Sequence, residues 1–313
     1  VALDELLRDR LILVTGKGGT GKTTLAASIA RVQAAHGRKT LLCEIDAQRA
    51  ALAPVFGTEA GLKPVRIEAN LDLCNLVWPD VLATYLQSMI RIKRVVNAIL
   101  GNEMVRRFLD FTPGSQELVE LSVVGDLVSQ YDVVVVDMPA SGHAFSMLDI
   151  TRSALGLFRG GPIRARVETL RELVQDARTR LVFVALAEEM VVNETLETIG
   201  RIRDGNLLGG EPVVVLNRAI APSFTEDERT LLERLSGTAL SGAAEEFVAV
   251  GRWELSLETA VQDAIQRFVA VPGLTLQLVP PSGAGGNPRY VVGQVSQLFA
   301  AALGVNPEEV AWT

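Results

Sequence analysis

Gly16-Lys17-Gly18-Gly19-Thr20-Gly21-Lys22-Thr23 carries the chemistry of a phosphate site. The run fits the spacing G-x-x-x-x-G-K-[ST] and adds a second lysine directly after the first glycine. Glycines let successive backbone N–H groups close around phosphate oxygens, and a helix N-terminus beneath them adds partial positive charge. Lys22 is expected to reach the β- and γ-phosphates, and the Thr23 hydroxyl to ligate Mg²⁺. That leaves Lys17 with little to do for the phosphates of its own subunit. The usual value of such a lysine lies in reaching across a dimer to neutralise transition-state charge in the partner's site. This is the part an arginine finger plays, worth roughly 10³–10⁵ in kcat. The alternative is a solvated lysine at a permissive position.

A second cluster, Asp137-Met138-Pro139-Ala140-Ser141-Gly142-His143, follows the apolar run Val133–Val136. Asp137 is placed like a Walker-B aspartate, holding Mg²⁺ directly or through water. His143 taken alone reads equally well as a capping or surface histidine.

The elements that must position these residues are legible as alternating patterns. Strand-like runs recur at Leu11–Thr15, Thr40–Ile45, Leu71–Leu76, Val133–Asp137, Leu181–Leu186, Val213–Leu216 and Leu274–Val279. Helical patterns lie at Thr23–Ala35, Val167–Ala177, Asn193–Asp204, Glu226–Leu235 and Val291–Leu303. Continuous apolar strands alternating with helices predict an α/β fold, a mostly parallel sheet with helices on both faces. The phosphate loop at the end of the first strand puts the nucleotide at the carboxyl edge of that sheet. From Pro79 to Gln130 only helical pattern is found (Val81–Leu100, Glu103–Leu109, Ser115–Ser129), which reads as a helical subdomain inserted between sheet elements. Residues 160–178, after the break Gly160-Gly161-Pro162, can contribute to it. Gly283–Pro288 is a loop by composition. With one phosphate loop and no repeat, residues 1–313 read as a single nucleotide-hydrolase core domain carrying that insert.

Gly16 to Thr24 resembles the deviant phosphate loop of the dimeric ATPases. These include the partitioning and division-site ATPases, the nitrogenase iron protein, the arsenite-pump ATPase ArsA and the tail-anchored-protein targeting ATPases. The resemblance implies a P-loop fold that binds ATP through Gly16, Gly18, Gly19, Thr20, Gly21, Lys22, Thr23 and Thr24. In Glu44-Ile45-Asp46-Ala47-Gln48, at the end of the second strand, it implies that Asp46 orients or activates the attacking water. The aspartate followed by Ser-Gly-His is similar to ArsA and the targeting ATPases, and makes Pro139, Ser141, Gly142 and His143 the second switch. Pro139 stands two residues after Asp137, where that family commonly has its proline at three. Val213–Arg218 resembles the strand ending in an asparagine that reads the adenine edge, here Asn217. Leu278-Val279-Pro280-Pro281 resembles the loop that packs beside the base. The cysteine cluster of ArsA and the C-x-x-C zinc clamp of many targeting ATPases are lacking. The targeting ATPases hold client helices in an apolar groove of the insert. Here Leu82, Leu86, Met89 and Ile90 form a stripe that also reads as core.

Bulk properties bound the rest. A net charge of −7 and a pI near 5.1 argue against nucleic acid as a partner. Apolar residues make up 48% and mean hydropathy is +0.26, which hints at a buried subunit interface or an apolar client surface. No run is long enough for a transmembrane helix and no export leader is seen, so a cytoplasmic protein is expected. Cys43 and Cys74 read as buried, reduced core residues. The basic cluster of Arg91, Lys93, Arg94, Arg106 and Arg107 reads as a solvated helix face, leaving membrane contact at most peripheral. The expected protein is a Mg²⁺-dependent ATPase that pairs with itself or a paralogue and couples hydrolysis to a client on the insert. A partitioning or positioning ATPase, and an ATP-binding subunit of a heterodimer, are the alternatives.

Overall fold

A computed structural model describes residues 3–45, 50–90, 92–104, 107, 112, 114–282 and 287–312. Asp46, Ala47, Gln48, Arg91, Arg106 and most of the Gly283–Pro288 loop lie outside the described residues.

Eight strands form one sheet: β1 (Leu11–Gly16), β2 (Thr40–Ile45), β3 (Val65–Glu68), β4 (Leu71–Leu76), β5 (Val133–Asp137), β6 (Thr179–Ala185), β7 (Val213–Asn217) and β8 (Thr275–Val279). Their spatial order is β3-β4-β2-β5-β1-β6-β7-β8, parallel throughout except that β3 runs antiparallel to β4. Every residue of β1, β2, β4, β5 and β6 is buried, as expected of parallel strands covered on both faces. β1 sits between β5 and β6, with Leu11 registered on Val134 and on Thr179.

Alternate side chains build two cores. On one face Ile12, Val14, Leu42, Val133 and Val135 meet α1 (Lys22–Ala35), whose Leu25, Ala26, Ile29 and Ala30 are buried, and α11 (Pro288–Ala302). The short α2 (Ala53–Phe56) caps the same layer. On the other face Leu13, Leu41, Val134, Val136 and Phe183 meet helices of the middle of the chain. These are α3 (Trp78–Met89), α4 (Lys93–Gly101), α5 (Ser115–Val128), α6 (Ser141–Leu157), α7 (Gly161–Val174), α8 (Glu189–Asp204) and α10 (Ala243–Val269), on which α9 (Glu226–Ser236) packs in turn.

Between β4 and β5 the described residues form helices and no strand, and the region divides in two. The single pattern at Val81–Leu100 is two helices, because Ile90 (φ −120°, ψ 109°) and Ile92 (φ −95°, ψ 100°) are extended. β-Branched residues tolerate that geometry readily, and α4 packs against α3. Val81 and Leu82 of α3, with Val119, Val123, Val124 and Leu127 of α5, join the sheet core, and Leu86 packs against it. α5 is therefore also the layer helix that crosses from β4 to β5. α4 is the outlying part: Ile92, Val95 and Met104 at its margins are exposed. Lys93 and Arg94 face solvent, and Arg107 pairs with Glu103.

β3, α2, α6 and α10 are additional to the elements the sequence patterns predict. β3 is a four-residue edge strand with charged Arg66 and Glu68, blunted as edges generally are. α6 continues the Ser141-Gly142-His143 segment, and α10 runs 27 residues. Cys43 and Cys74 are register partners on β2 and β4, both buried and both free. Part of the apolar excess is on the surface: Met104, Leu157, Met190, Phe247 and Trp253 are each more than half exposed. Among the described residues no helix is long and apolar enough to cross a membrane.

Candidate functional site

The phosphate loop joins β1 directly to α1. Gly16 ends the strand at φ +149°, and a Cβ there would run into the Val184 carbonyl of β6, so this position takes only glycine. Thr20 is buried, and its hydroxyl donates to the Lys17 carbonyl at 2.8 Å, closing the loop on itself. Lys22 donates through Nζ to the same carbonyl at 3.2 Å. Burial holds its ammonium below the usual lysine range, and Asp137 opposes the shift. The backbone of Gly18 and Gly19 is exposed and Thr24 half-buried in the first turn of α1. Lys17 is half-exposed, and its ammonium has no hydrogen-bond or ion-pair partner among the described residues.

Asp137, at the end of β5, comes to the first turn of α1. Thr23 donates through Oγ1 to Asp137 Oδ2 at 2.6 Å. Asp137 Oδ1 is buried with no hydrogen-bond partner among the described residues. Burial first, against the Thr23 hydrogen bond and Lys22, pushes its carboxyl up to about 6. A hydroxyl and a carboxylate with an unused buried oxygen are the donors a hard divalent cation selects, so the pair could hold one. Glu44 is a second buried carboxylate, registered beside Asp137 on β2. Burial, with repulsion from Asp137 adding to it, raises it to about 7.

The segment after Asp137 turns back under β1. Met138 N–H donates to the Val14 carbonyl at 3.0 Å, and Thr15 donates through Oγ1 to the Pro139 carbonyl at 3.4 Å. Ser141 begins α6, is buried, and donates to Glu194 on α8. Gly142 is exposed. His143 stands against α5: Nδ1 lies 3.7 Å from Glu117 Oε1, and Nε2 lies 3.7 Å from Glu120 Oε2. Glu120 is fully buried and takes a hydrogen bond from Gln116. Glu44, Glu117, Glu120 and Glu194 are absent from the sequence-derived site. Glu44 lies inside the run quoted for Asp46, and Glu117 and Glu120 sit three apart on one helix face, a spacing that could have marked them.

The positions carried over by resemblance fare differently. Asn217 ends β7 and does approach the phosphate loop. It donates through Nδ2 to the Thr20 carbonyl at 2.8 Å, and its Oδ1 accepts from Arg218 N. A Cβ on Gly21, which has φ +98°, would lie 2.5 Å from that Nδ2, so glycine there is what lets Asn217 in. Pro280 and Pro281 are exposed after β8. They line a cavity of about 390 Å³ with Gln294, Gln297 and Leu298 of α11, a wall that includes no phosphate-loop residue. Asp46, the next residue in sequence after β2, lies outside the described residues. One sheet edge thus gathers the phosphate loop, the Thr23–Asp137 pair, Asn217 and the segment leading to His143.

Residues 9–159 match the model of a family described as anion-transporting ATPases. The chain is 32% identical over 237 residues to ATPase BagA of Mycobacterium tuberculosis, covering 70% of this chain and 67% of that protein. It is 28% identical over 281 residues to protein Rv2184c of the same organism, covering 84% and 62% of the two chains. It is 27% identical over 145 residues to ATPase ASNA1 homolog 2 of Paramecium tetraurelia, covering 44% and 43%.

Proposed function

The chain belongs to the anion-transporting ATPase family and hydrolyses ATP, and we propose that it does so as a face-to-face dimer whose cycle moves a partner-binding helical region. ATP lies on the loop Gly16–Thr24, its phosphates held by backbone N–H groups and Lys22. Thr23 and Asp137 would hold Mg²⁺, which would supply charge neutralisation on the transferring phosphoryl group. Lys17 enters the partner's site, and Asp46 orients the attacking water. The acidic, helix-covered molecule acts in the cytosol.

The single observation that carries the coupling is His143 set between Glu117 and Glu120. Asp137 and His143 share one short segment, so a shift at the metal side displaces the imidazole from two carboxylates on α5. α3 packs on that helix and on α4, where exposed Ile92, Val95 and Met104 offer an apolar surface to a client protein. Two-state loops that follow γ-phosphate and metal are the usual source of such motion.

Steady-state ATPase activity against protein concentration, with light scattering in parallel, tests the dimer. Specific activity is expected to climb as an ATP-dependent dimer appears. Tight ATP binding with negligible turnover at every concentration would refute self-sufficiency and point to a missing subunit. His143→Ala is expected to keep turnover within about threefold while abolishing nucleotide-dependent hydrogen-exchange protection in α4 and α5. Unchanged protection would sink the coupling.

A further inference from the structure

α10 outruns the core that buries its far end. Val261, Ala264 and Phe268, spaced three and four apart, are buried in the sheet core. The same alternation carried toward the N-terminus passes through Leu257, Glu254, Val250 and Phe247, so all of these lie along one seam of the helix. Over that half the seam is open: Phe247 is 73% exposed and Val250 55%, with Trp253 beside them at 62% and Leu257 at 37%. α9 does not close it. Its Leu232 packs at Gly251, where a Cβ would lie 2.9 Å away, and Gly251 stands about 100° round the helix from Val250. The open stretch from Phe247 to Leu257 is about 15 Å long, and an apolar seam of this alternation is the face that a second helix fills.

Charge decides which kind of helix. Glu246 and Glu254 are exposed in the open half, Glu254 in the seam itself, whereas Arg252 lines the cleft toward α9 on the opposite side. A carboxylate that becomes covered needs a cationic partner. A second copy of this chain does not supply one: antiparallel pairing about Val250 sets Glu246 of each copy against Glu254 of the other, and parallel pairing sets like residues together. An anionic lipid surface repels the same carboxylates. We propose that the open half of α10 is a docking face for an amphipathic helix of another protein, one whose apolar face is flanked by lysine or arginine. It uses none of the residues that α4 exposes.

The probe is a synthetic amphipathic helix of about 20 residues with a leucine face flanked by lysines, and its counterpart carries glutamates in their place. Nucleotide-free protein is expected to bind the lysine peptide about tenfold or more tighter than the glutamate peptide, with a blue shift of tryptophan emission that Trp253→Phe removes. Val250→Ser combined with Leu257→Ser should weaken the lysine peptide by about tenfold or more. Melting temperature and ATPase turnover should stay at wild-type values, since both side chains are exposed. Glu246→Lys combined with Glu254→Lys should reverse the preference between the two peptides. Equal affinity for both peptides, or lysine-peptide binding untouched by the serine pair, would overturn the proposal. So would a nucleotide-free dimer, seen by light scattering, that the serine pair dissociates, since the occupant would then be a second copy. Co-sedimentation with phosphatidylserine vesicles that Trp253→Ser abolishes would overturn it in favour of a membrane.

Discussion

Lys17→Ala lowers kcat for ATP hydrolysis by roughly 10³-fold or more while leaving ATP affinity within a few-fold. The expectation follows from how the loop spends its two lysines. Lys22 is drawn into its own loop, on the Lys17 carbonyl and within the field of Asp137. The Lys17 ammonium stands half-exposed and unengaged among the described residues. A cation that acts only when a second subunit closes is missed in the transition state and hardly in the ground state, which separates kcat from affinity. The sharpest form mixes two inactive variants. Lys17→Ala supplies an intact Asp137, and Asp137→Asn supplies an intact Lys17, so one site of the mixed dimer is whole. Recovery of turnover on mixing is the expected result. Equal losses of kcat and affinity in Lys17→Ala, with no recovery on mixing, would assign the lysine to its own phosphates.

Asp137→Asn is expected to do two opposite things. Turnover falls by on the order of 10²-fold or more, because the carboxylate that holds the metal is gone and metal catalysis is worth several kcal/mol. The metal-free protein becomes more stable at neutral pH. Asp137 is raised from 3.8 to about 6, chiefly by burial, so the folded protein keeps a proton that the unfolded chain has lost. The unfolded state binds fewer protons in that window, and stability therefore falls as pH rises from about 4 to about 6, then stays level. Glu44, raised from 4.5 to about 7, extends the fall to about 7. Mg²⁺ offsets the repulsion where both groups are charged, so its stabilisation should be larger near pH 8 than near pH 5. Thermal melts with and without Mg²⁺ across that range check both signs. A metal-independent melt at pH 8, or a metal-free Asp137→Asn no more stable than wild type there, would break the assignment.

Legibility followed physical scale. The buried parallel strands are continuous apolar runs, so Thr40–Ile45, Leu71–Leu76 and Val133–Asp137 could be bounded to the residue. β3 was not legible because four residues on an edge bury too little to leave a pattern. The phosphate loop and Asp137 were readable since their chemistry needs fixed spacing along the chain, and Thr23 indeed meets Asp137. Glu44 and Glu194 were not, because their roles come from contacts across strands and helices that no local spacing encodes, and the spacing of Glu117 and Glu120 marks a helix face without saying that His143 meets it. The split at Ile90–Ile92 was hidden for a similar reason: apolar periodicity runs through it, and only packing of α4 on α3 breaks the helix.

The place of β1 in the sheet also bears on biosynthesis. The strand that ends in the phosphate loop is made well before its registered partners at Val134 and Thr179. With translation at about 5–20 residues per second, both edges of that strand wait many seconds for their neighbours. A nascent chain in that interval carries an apolar strand and an unformed loop, so the catalytic edge closes only once β6 is made, with β7 and β8 still to be added. Whatever shields that strand and loop in the cell thereby governs how much of the product ever reaches a working site.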